Sequence, residues 1–210
     1  MKWLANLENN NIPFCIHILQ KNDCLIMPSI LEKSQIIYII DGFMQIVKIF
    51  TNGEKICIDL LYKKHVIPNI KINIKHNNNY YYKIIAITKT VIATIPSQIL
   101  NEKIKKNIIC FQEFQIIYNR RNNDITNILV YKNTKKRVIQ LLLTISKQFG
   151  KIKPKYIIIP FYLSHQTIAT ITGSQRITIN RIMYRLKKKK IINYDKQKLL
   201  IYSIVKLIQF

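Results

Sequence analysis

Short runs of apolar, mostly β-branched residues alternate with turn residues from Phe14 to about Ile95. The runs are Ile36–Ile40, Phe43–Phe50, Lys55–Leu60, Tyr80–Thr88 and Val91–Ile95. Asp41-Gly42 and Asn52-Gly53 separate the first three runs, and both dipeptides supply the positive φ angles that tight hairpins require. The pattern predicts an antiparallel β-barrel or sandwich that ends near Pro96.

A different pattern follows, because neither Gly nor Pro occurs between Ser97 and Phe149. Gly150 ends this stretch as a helix C-cap would. Two helices in series fit better than one helix of about 50 residues. We expect a break near residues 131–134, with Thr134 capping a helix over Lys135–Phe149.

The first part of this stretch carries a stripe with alternating spacings of four and three residues. Its members are Ile104, Ile108, Phe111, Gln115, Tyr118, Asn122, Ile125 and Leu129. This spacing is typical of a helix that pairs with a partner helix, and it favours a homodimer. An amphipathic helix lying on its own β-domain would show the same stripe, and polar Gln115 and Asn122 interrupt the seam.

The 210-residue chain carries 34 Lys and Arg against 10 Asp and Glu, a net charge of +24. Its 46 Ile, 28 Lys and 20 Asn are typical of an AT-rich genome, so the total charge alone is weak evidence. Residues 1–130 carry a net charge of +7, however, and residues 131–210 carry +17. This concentration predicts that the C-terminal segment contacts nucleic acid or another anionic surface.

Several classes of protein are not expected. No apolar run approaches the roughly 18 residues of a membrane-spanning helix, and the first residues lack the apolar core of a signal peptide. We therefore expect an intracellular protein without membrane association. The chain has no C-x-x-C pair, and Cys15, Cys24, Cys57 and Cys110 are expected to be small core residues without a metal. No catalytic set of side chains is visible, so the protein is not expected to be an enzyme.

Small elements are predicted after residue 150. They are a strand at Lys155–Ile159, helices at Ser164–Thr172 and Ser174–Lys189, and a hairpin of Ile191–Tyr194 with Leu199–Tyr202. Ser164 stands at an N-cap position and Gly173 supplies a sharp turn. Ile168 and Ala169 face inward, and the buried face of the second helix comprises Ile177 or Ile179 together with Ile182 and Leu186. This order is that of a helix-turn-helix.

The remaining positions of the second helix face outward. They are Arg176, Thr178, Asn180, Arg181 and Arg185. Arginine pairs bidentately with guanine O6 and N7, and residues at the front of such a helix reach base edges. The lysine run and the hairpin that follow give the order of a winged helix-turn-helix, in which Lys187, Lys188 and Lys189 contact phosphates. A small helical hairpin with solvated arginines would show the same fragment.

Two motifs resemble those of the Crp/Fnr family of transcription regulators. They are Leu-Ser-His-Gln-x-Ile-Ala at 163–169 and Gly-Ser-x-Arg-x-Thr-x-x-Arg at 173–181, and they are most similar to the nitrogen-regulator branch found in cyanobacteria and red-algal plastids. The resemblance implies an α+β fold. Its parts are an antiparallel β-roll sensor-like domain at 1–96, a dimerisation helix and hinge at 97–131, and a winged helix-turn-helix DNA-binding domain at 132–210.

The resemblance also implies roles for individual residues. Arg176, Thr178 and Arg181 would contact bases, whereas Ser164, His165, Gln166 and Ser174 would contact phosphates. Two reading helices of a homodimer would enter successive major grooves of a palindrome in double-stranded DNA. Isoleucine at 177 matches the apolar residue of the nitrogen-regulator branch and implies a half-site resembling GTA.

The sensor half departs from the family's pattern. The family's effector site requires an arginine that meets the phosphate of a cyclic nucleotide or the carboxylates of 2-oxoglutarate. The matching stretch, residues 68–82, contains no arginine. Lys71, Lys75 or Arg121 could supply the missing charge, but an altered or lost effector site, with no cofactor, fits the sequence better.

The sequence therefore predicts a dimeric DNA-binding regulator. We expect an activator that contacts RNA polymerase, located in the plastid of a red alga or in a bacterial cytoplasm. The alternative from another class is a basic module that binds nucleic acid or an anionic surface without sequence preference.

Overall fold

The computed structural model describes residues 2–26, 35–67, 80–99, 102 and 124–210. The chain divides into two compact units, Met1–Asn122 and Asn123–Phe210. The division lies nine residues before position 132, where the sequence places the start of the DNA-binding domain.

The described part of the first unit begins with a short helix and consists mainly of β-strands. Helix α1 spans Lys2–Asn9, and the strands are β1 (Cys15–Leu19), β2 (Cys24–Ile26), β3 (Gln35–Asp41), β4 (Phe43–Phe50), β5 (Lys55–Tyr62), β6 (Val66–Ile67), β7 (Tyr80–Ala86) and β8 (Thr90–Pro96). They form two four-stranded sheets in the orders β1-β8-β3-β6 and β2-β7-β4-β5. Every pairing between the described strands is antiparallel, which confirms the predicted antiparallel β-roll.

Apolar side chains from both sheets form the main core of this unit. The buried cluster comprises Ile37, Ile39, Met44, Ile46, Leu61, Ile67, Ile84, Ala86 and Ile92. A second cluster includes Leu7 of α1 together with Ile12, Ile36 and Ile95. The sequence reasoning did not predict α1, since eight residues are too few to establish a helical period.

The two Gly-containing turns have different outcomes. Asn52-Gly53 joins the paired strands β4 and β5, with Gly53 at φ +85°, which confirms a hairpin. Asp41-Gly42 does not form a hairpin, because β3 and β4 belong to different sheets. Gly42, at φ +104°, instead lies at a corner where an added Cβ would be 2.5 Å from Thr90 Oγ1. A glycine is required there by close approach as well as by φ.

The second unit combines helices with one small sheet. Its helices are α2 (Asp124–Leu129), α3 (Thr134–Phe149), α4 (His165–Thr172), α5 (Arg176–Lys188) and α6 (Ile204–Gln209), and its strands are β9 (Lys151–Lys153), β10 (Tyr156–Ile159), β11 (Ile192–Tyr194) and β12 (Leu199–Ile201). The antiparallel sheet has the order β11-β12-β10-β9. The helix-turn-helix and the following hairpin are thus confirmed, whereas β9 and α6 were not predicted.

Helix α3 begins after the predicted break, but its N-cap differs from the prediction. The side chain of Asn133, not that of Thr134, accepts a hydrogen bond from the Lys135 amide at 2.8 Å. Asparagine is among the strongest N-cap residues, and here it stands one position earlier in an extended conformation. Gly150 ends the helix as expected, with its amide donating to the Ser146 carbonyl.

Most of the predicted dimer seam lies outside the described residues. Those positions are Ile104, Ile108, Phe111, Gln115, Tyr118 and Asn122. Ile125 and Leu129 lie in α2, which packs against α3. The Ile125 side chain is buried within the single chain, and Leu129 is half-buried.

The cysteines only partly match the expectation that they are core residues. Cys57 is buried, and burial raises the pKa of its thiol. Cys15 and Cys24 are exposed on β1 and β2, so the prediction was wrong for both of them. Cys110 lies outside the described residues.

Candidate nucleic-acid interface

Ser164 starts helix α4 through its side chain. Its Oγ accepts a hydrogen bond from the Thr167 amide at 3.0 Å and lies 2.8 Å from Thr167 Oγ1. This bond satisfies one of the free amides at the helix N-terminus, so the predicted N-cap is confirmed. Ser164 remains exposed, and it presents the start of α4 to solvent.

Gly173 forms the turn between the two helices. It adopts the left-handed conformation at φ +57° and ψ +48°, and its amide donates to the Ala169 carbonyl. The Ser174 amide donates to the same carbonyl at 2.9 Å. These bonds close α4 and redirect the chain into α5 within two residues.

Helix α5 has one buried and one exposed face. Its buried residues are Ile179, Ile182, Met183 and Leu186. Ile177, one of two alternatives for the buried face, is 65% exposed, so Ile179 fills that position. The helix begins at Arg176, two residues later than the predicted Ser174, with Gln175 as the N-cap.

The exposed face of α5 carries most of the residues expected to meet DNA. Arg176, Arg181 and Arg185 are exposed, and Tyr184, which the sequence reasoning did not single out, is 61% exposed. Thr178 is half-buried. The first two turns thus present two arginines and an isoleucine, a set able to read guanine edges and thymine methyl groups.

The hairpin after α5 is held by local contacts. The Asp195 carboxylate accepts hydrogen bonds from the amides of Gln197 and Lys198 at 2.7 and 2.9 Å. These bonds lower the pKa of Asp195. Lys187 Nζ donates to the Tyr194 carbonyl at 3.4 Å and lies 4.8 Å from the ring centroid of Tyr194. The fully exposed turn of the hairpin is therefore fixed in place beside the end of α5.

The lysines predicted to contact phosphates differ in their surroundings. Lys187 contacts the hairpin through Tyr194, as above. Lys189 Nζ lies 5.1 Å from the ring centroid of Phe210, and Lys135 Nζ lies 4.2 Å from the same ring. Lys188 is exposed at the last position of α5. Lys187 therefore adds positive charge beside the hairpin, and Lys189 adds it beside Phe210.

An open cavity of about 560 Å³ lies where the starts of α4 and α5 approach the hairpin. Its lining residues are Tyr162, Ser164, His165, Gln166, Arg176, Tyr194, Asp195 and Lys196. It brings together three predicted phosphate contacts and one predicted base contact. Ser174 is not among them, and its hydroxyl donates to the Thr172 carbonyl at 3.2 Å within the turn.

Two stacked tyrosines form one side of this cavity. The rings of Tyr162 and Tyr194 are nearly parallel, 4.7 Å apart, and the His165 ring meets both edge-on at 6.0 Å. The sequence reasoning missed these tyrosines because 32 positions separate them in the chain. No local motif signals a pairing over that separation.

The cavity wall contains polar groups without protein partners. Among the described residues, the Tyr162 hydroxyl and His165 Nε2 are buried without a hydrogen-bond partner. Burial, and then the nearby charge of Arg176, lower the pKa of His165. Three charged side chains line the cavity, namely the cations Arg176 and Lys196 and the carboxylate Asp195.

Nothing in the described ranges points to a metal centre or a membrane span. No group of three His, Cys, Asp or Glu side chains there could hold a metal ion. None of the described helices is both long enough and apolar enough to cross a membrane.

Comparison with known proteins agrees with this architecture. Residues 136–210 match the family model of the Crp-like helix-turn-helix domain. The chain is 26% identical over 211 residues to ycf28 of Porphyra purpurea, described as an HTH-type transcriptional regulator, covering 99% of this chain and 86% of that protein. It is 22% identical over 213 residues to the global nitrogen regulator of Synechococcus elongatus, covering 100% of this chain and 95% of the relative.

Solved structures share the same fold. A transcriptional regulator of the CRP family from Thermus thermophilus superimposes with a TM-score of 0.69 at 13% identity, covering 92% of this chain and 95% of that one. At this identity the likeness concerns the fold alone.

Proposed function

This chain has the fold of the Crp/Fnr regulators with a Crp-like helix-turn-helix domain at residues 136–210, and we propose that it activates transcription as a homodimer on a palindromic DNA site. The observation that carries the proposal is the exposed front of α5. Three exposed or cavity-lining residues stand there, Arg176, Ile177 and Arg181, and the adjoining cavity is lined by hydrogen-bonding side chains, two cations and one carboxylate.

We propose different residues for the contacts to bases and for the contacts to phosphates. Arg176 and Arg181 read guanine edges bidentately, with Thr178 beside them. Four side chains at or near the starts of the two helices contact the phosphate backbone of the DNA. They are Ser164, His165, Gln166 and Ser174. Lys187, Lys188 and Lys189 add positive charge near the hairpin. The net charge of +17 over residues 131–210 supports binding to phosphates in general.

The relatives support a nitrogen-type regulator. The names of the cyanobacterial relatives state that they are global nitrogen regulators. We infer a half-site resembling GTA, in which the exposed Ile177 meets an apolar base edge. The host compartment is a plastid or a bacterial cytoplasm, since the relatives include a Porphyra purpurea protein and cyanobacterial proteins. RNA polymerase is the partner that activation requires.

The sensor site is proposed to be altered or lost. The first arginine of the chain is Arg120, so no arginine stands within or before the β-strands of the first unit. A phosphate or a dicarboxylate bound there would be met by Lys71, Lys75 or Arg121, and a lysine lacks the bidentate geometry of arginine. Isothermal titration with 2-oxoglutarate and with cyclic AMP is expected to give no binding at millimolar ligand.

The central test compares two DNA duplexes of equal length and composition. Fluorescence anisotropy of the full chain on a palindrome of GTA-type half-sites and on its scrambled version is expected to show tighter binding to the palindrome. The scrambled duplex controls for phosphate contacts, which do not depend on sequence. Equal affinity for both duplexes would overturn the proposal and favour the basic module without sequence preference.

A further inference from the structure

Arg137 of helix α3 reaches the turn of the helix-turn-helix from outside it. Its Nη1 donates to the carbonyl oxygen of Thr172 at 3.1 Å, and Thr172 is the last residue of α4. Carbonyls in the last turn of a helix have no partner inside the helix, and a cation there also meets the negative end of the helix dipole. Arg137 therefore completes the end of α4 with a group from another helix.

The same guanidinium holds a second carbonyl. Arg137 Nε donates to the Tyr131 carbonyl oxygen at 2.6 Å, in the break between α2 and α3. Arginine presents its donors in a rigid planar fork, so both bonds fix the position of one carbonyl relative to the other. One side chain thus ties the entrance of α3 to the end of α4.

The turn itself lies next to the guanidinium group of Arg137. A Cβ built on Gly173 would lie 3.6 Å from Arg137 Nη1. The Ser174 hydroxyl lies 3.5 Å from Thr134 Oγ1, a second polar approach between the turn and the start of α3. Two residues later the chain enters α5 at Arg176. The position of the first turn of α5 therefore depends on contacts made to α3.

We propose that Arg137 is a positioning residue for DNA reading. It does not contact DNA itself, but it holds the turn that places Arg176 against the bases. This inference rests on the proposed function. Loss of the fork would let the front of α5 shift, so contacts to bases, which require exact placement, would weaken more than contacts from flexible lysines to phosphates.

The test measures the affinity of Arg137→Ala for the palindrome and for the scrambled duplex over a range of salt concentrations. We expect the palindrome affinity to fall roughly tenfold, about the loss from one wrong base pair. The scrambled affinity and the salt slope should stay unchanged, because no phosphate contact is lost. Lys136→Ala removes an exposed charge from the same turn of α3 and should leave the ratio of the two affinities unaltered.

Arg137→Lys keeps the charge but not the fork, and it is expected to lower the ratio as Arg137→Ala does. Amide hydrogen exchange provides a readout without DNA. The Ser174 amide, bonded to the Ala169 carbonyl, should exchange faster in both Arg137 variants than in Lys136→Ala. Thermal unfolding curves establish that each variant is folded at the assay temperature.

Other outcomes overturn the inference. A folded Arg137→Ala with an unchanged ratio and unchanged Ser174 exchange would show that the fork positions nothing. An equal loss on both duplexes with a flatter salt slope would make Arg137 a phosphate contact. Unfolding of both Arg137 variants would assign the residue to folding. If the wild type itself showed no preference for the palindrome, the proposed function would fail, and the exchange experiment would still decide whether Arg137 holds the turn.

Discussion

Arg176 belongs to both groups of residues that are proposed to meet DNA. It is the first residue of α5, the helix proposed to read base edges, and it also lines the cavity formed with the proposed phosphate contacts. Geometry alone allows its guanidinium to meet guanine or a backbone oxygen. The energetic signatures of the two contacts differ, since only a base contact depends on sequence.

Replacing Arg176 with Ala should cost about 1–3 kcal/mol of binding free energy on the palindrome and little on the scrambled duplex. Arg185→Ala is the matched control, because Arg185 is an exposed arginine further along the same helix. Its loss should be small and similar on both duplexes. An equal, large loss for Arg176→Ala on both would reassign it to the phosphate backbone. Fluorescence anisotropy measures both variants.

His165 gives the second unit a dependence of stability on pH. Its pKa in the folded chain is lowered below the ordinary 6.5 by burial and by Arg176, so the unfolded chain binds a proton more readily. The stability contribution of the neutral ring is fully present above about pH 6.5 and is lost as the pH falls toward the folded pKa. The lowered pKa of Asp195 affects stability only at pH values near and below 3.8, the ordinary pKa of this carboxyl.

Urea unfolding followed by circular dichroism checks this expectation. The free energy of unfolding of the wild type should fall between about pH 7 and pH 5, and the fall should be smaller in His165→Gln, which cannot take up the proton. Tyr162→Phe serves as a control, because it alters the same cavity without removing the titrating ring. Parallel pH curves for the wild type and His165→Gln would contradict the assignment of this dependence to His165.

At the scale of elements, local chemistry determined what could be predicted from the sequence. Ser164 and Gly173 were identified correctly, since a cap and a left-handed turn depend on the residue and its immediate neighbours. The Asn52-Gly53 hairpin was identified for the same reason. Asp41-Gly42 carries a similar signal but has a different role, because β3 pairs with β6 and β8 in one sheet while β4 pairs with β5 and β7 in the other.

The missed elements and contacts are either short or distant in sequence. Strand β9 has three residues and α6 has six, too few to reveal a period. The stacking of Tyr162 on Tyr194 and the fork of Arg137 depend on tertiary structure. Sequence motifs could therefore place Ser164, His165, Gln166 and Arg176 in the candidate site, but not the side chains that support them.

The turn at Gly173 should be sensitive to substitution through its backbone. Gly173→Ala adds a Cβ that meets only ordinary contacts at 3.6 and 3.8 Å, so the cost comes from the left-handed conformation, about 1–2 kcal/mol of unfolding free energy. Gly53→Ala is the matched control, at φ +85° with open space around it. Chemical denaturation should show similar losses for both variants, while only Gly173→Ala weakens palindrome binding. Unchanged DNA binding in a folded Gly173→Ala would contradict the importance of this turn.

At the scale of the whole molecule, the proposed palindrome and the proposed dimer depend on each other. A single helix-turn-helix reads only one half-site, and the affinity of a specific regulator comes from two such units on one face of the DNA. The seam that would pair two chains includes Ile108 and Phe111, in the part of the sequence between the described ranges. Measurements of the oligomeric state and of the dependence on half-site spacing therefore both test the hypothesis that a homodimer binds the palindrome.

Sedimentation equilibrium at micromolar concentration should give twice the chain mass of 24.9 kDa for the wild type and the single mass for a double variant, Ile108→Glu with Phe111→Glu. DNA spacing gives the second measurement. Inserting about five base pairs between the half-sites rotates one of them to the opposite face of the DNA and should abolish the preference for the palindrome. Inserting about ten base pairs returns both half-sites to the same face but leaves them further apart. A monomeric wild type, or equal binding to the original and the five-base-pair insertion, would separate sequence reading from dimerisation, because each half-site would then be read independently by a single chain.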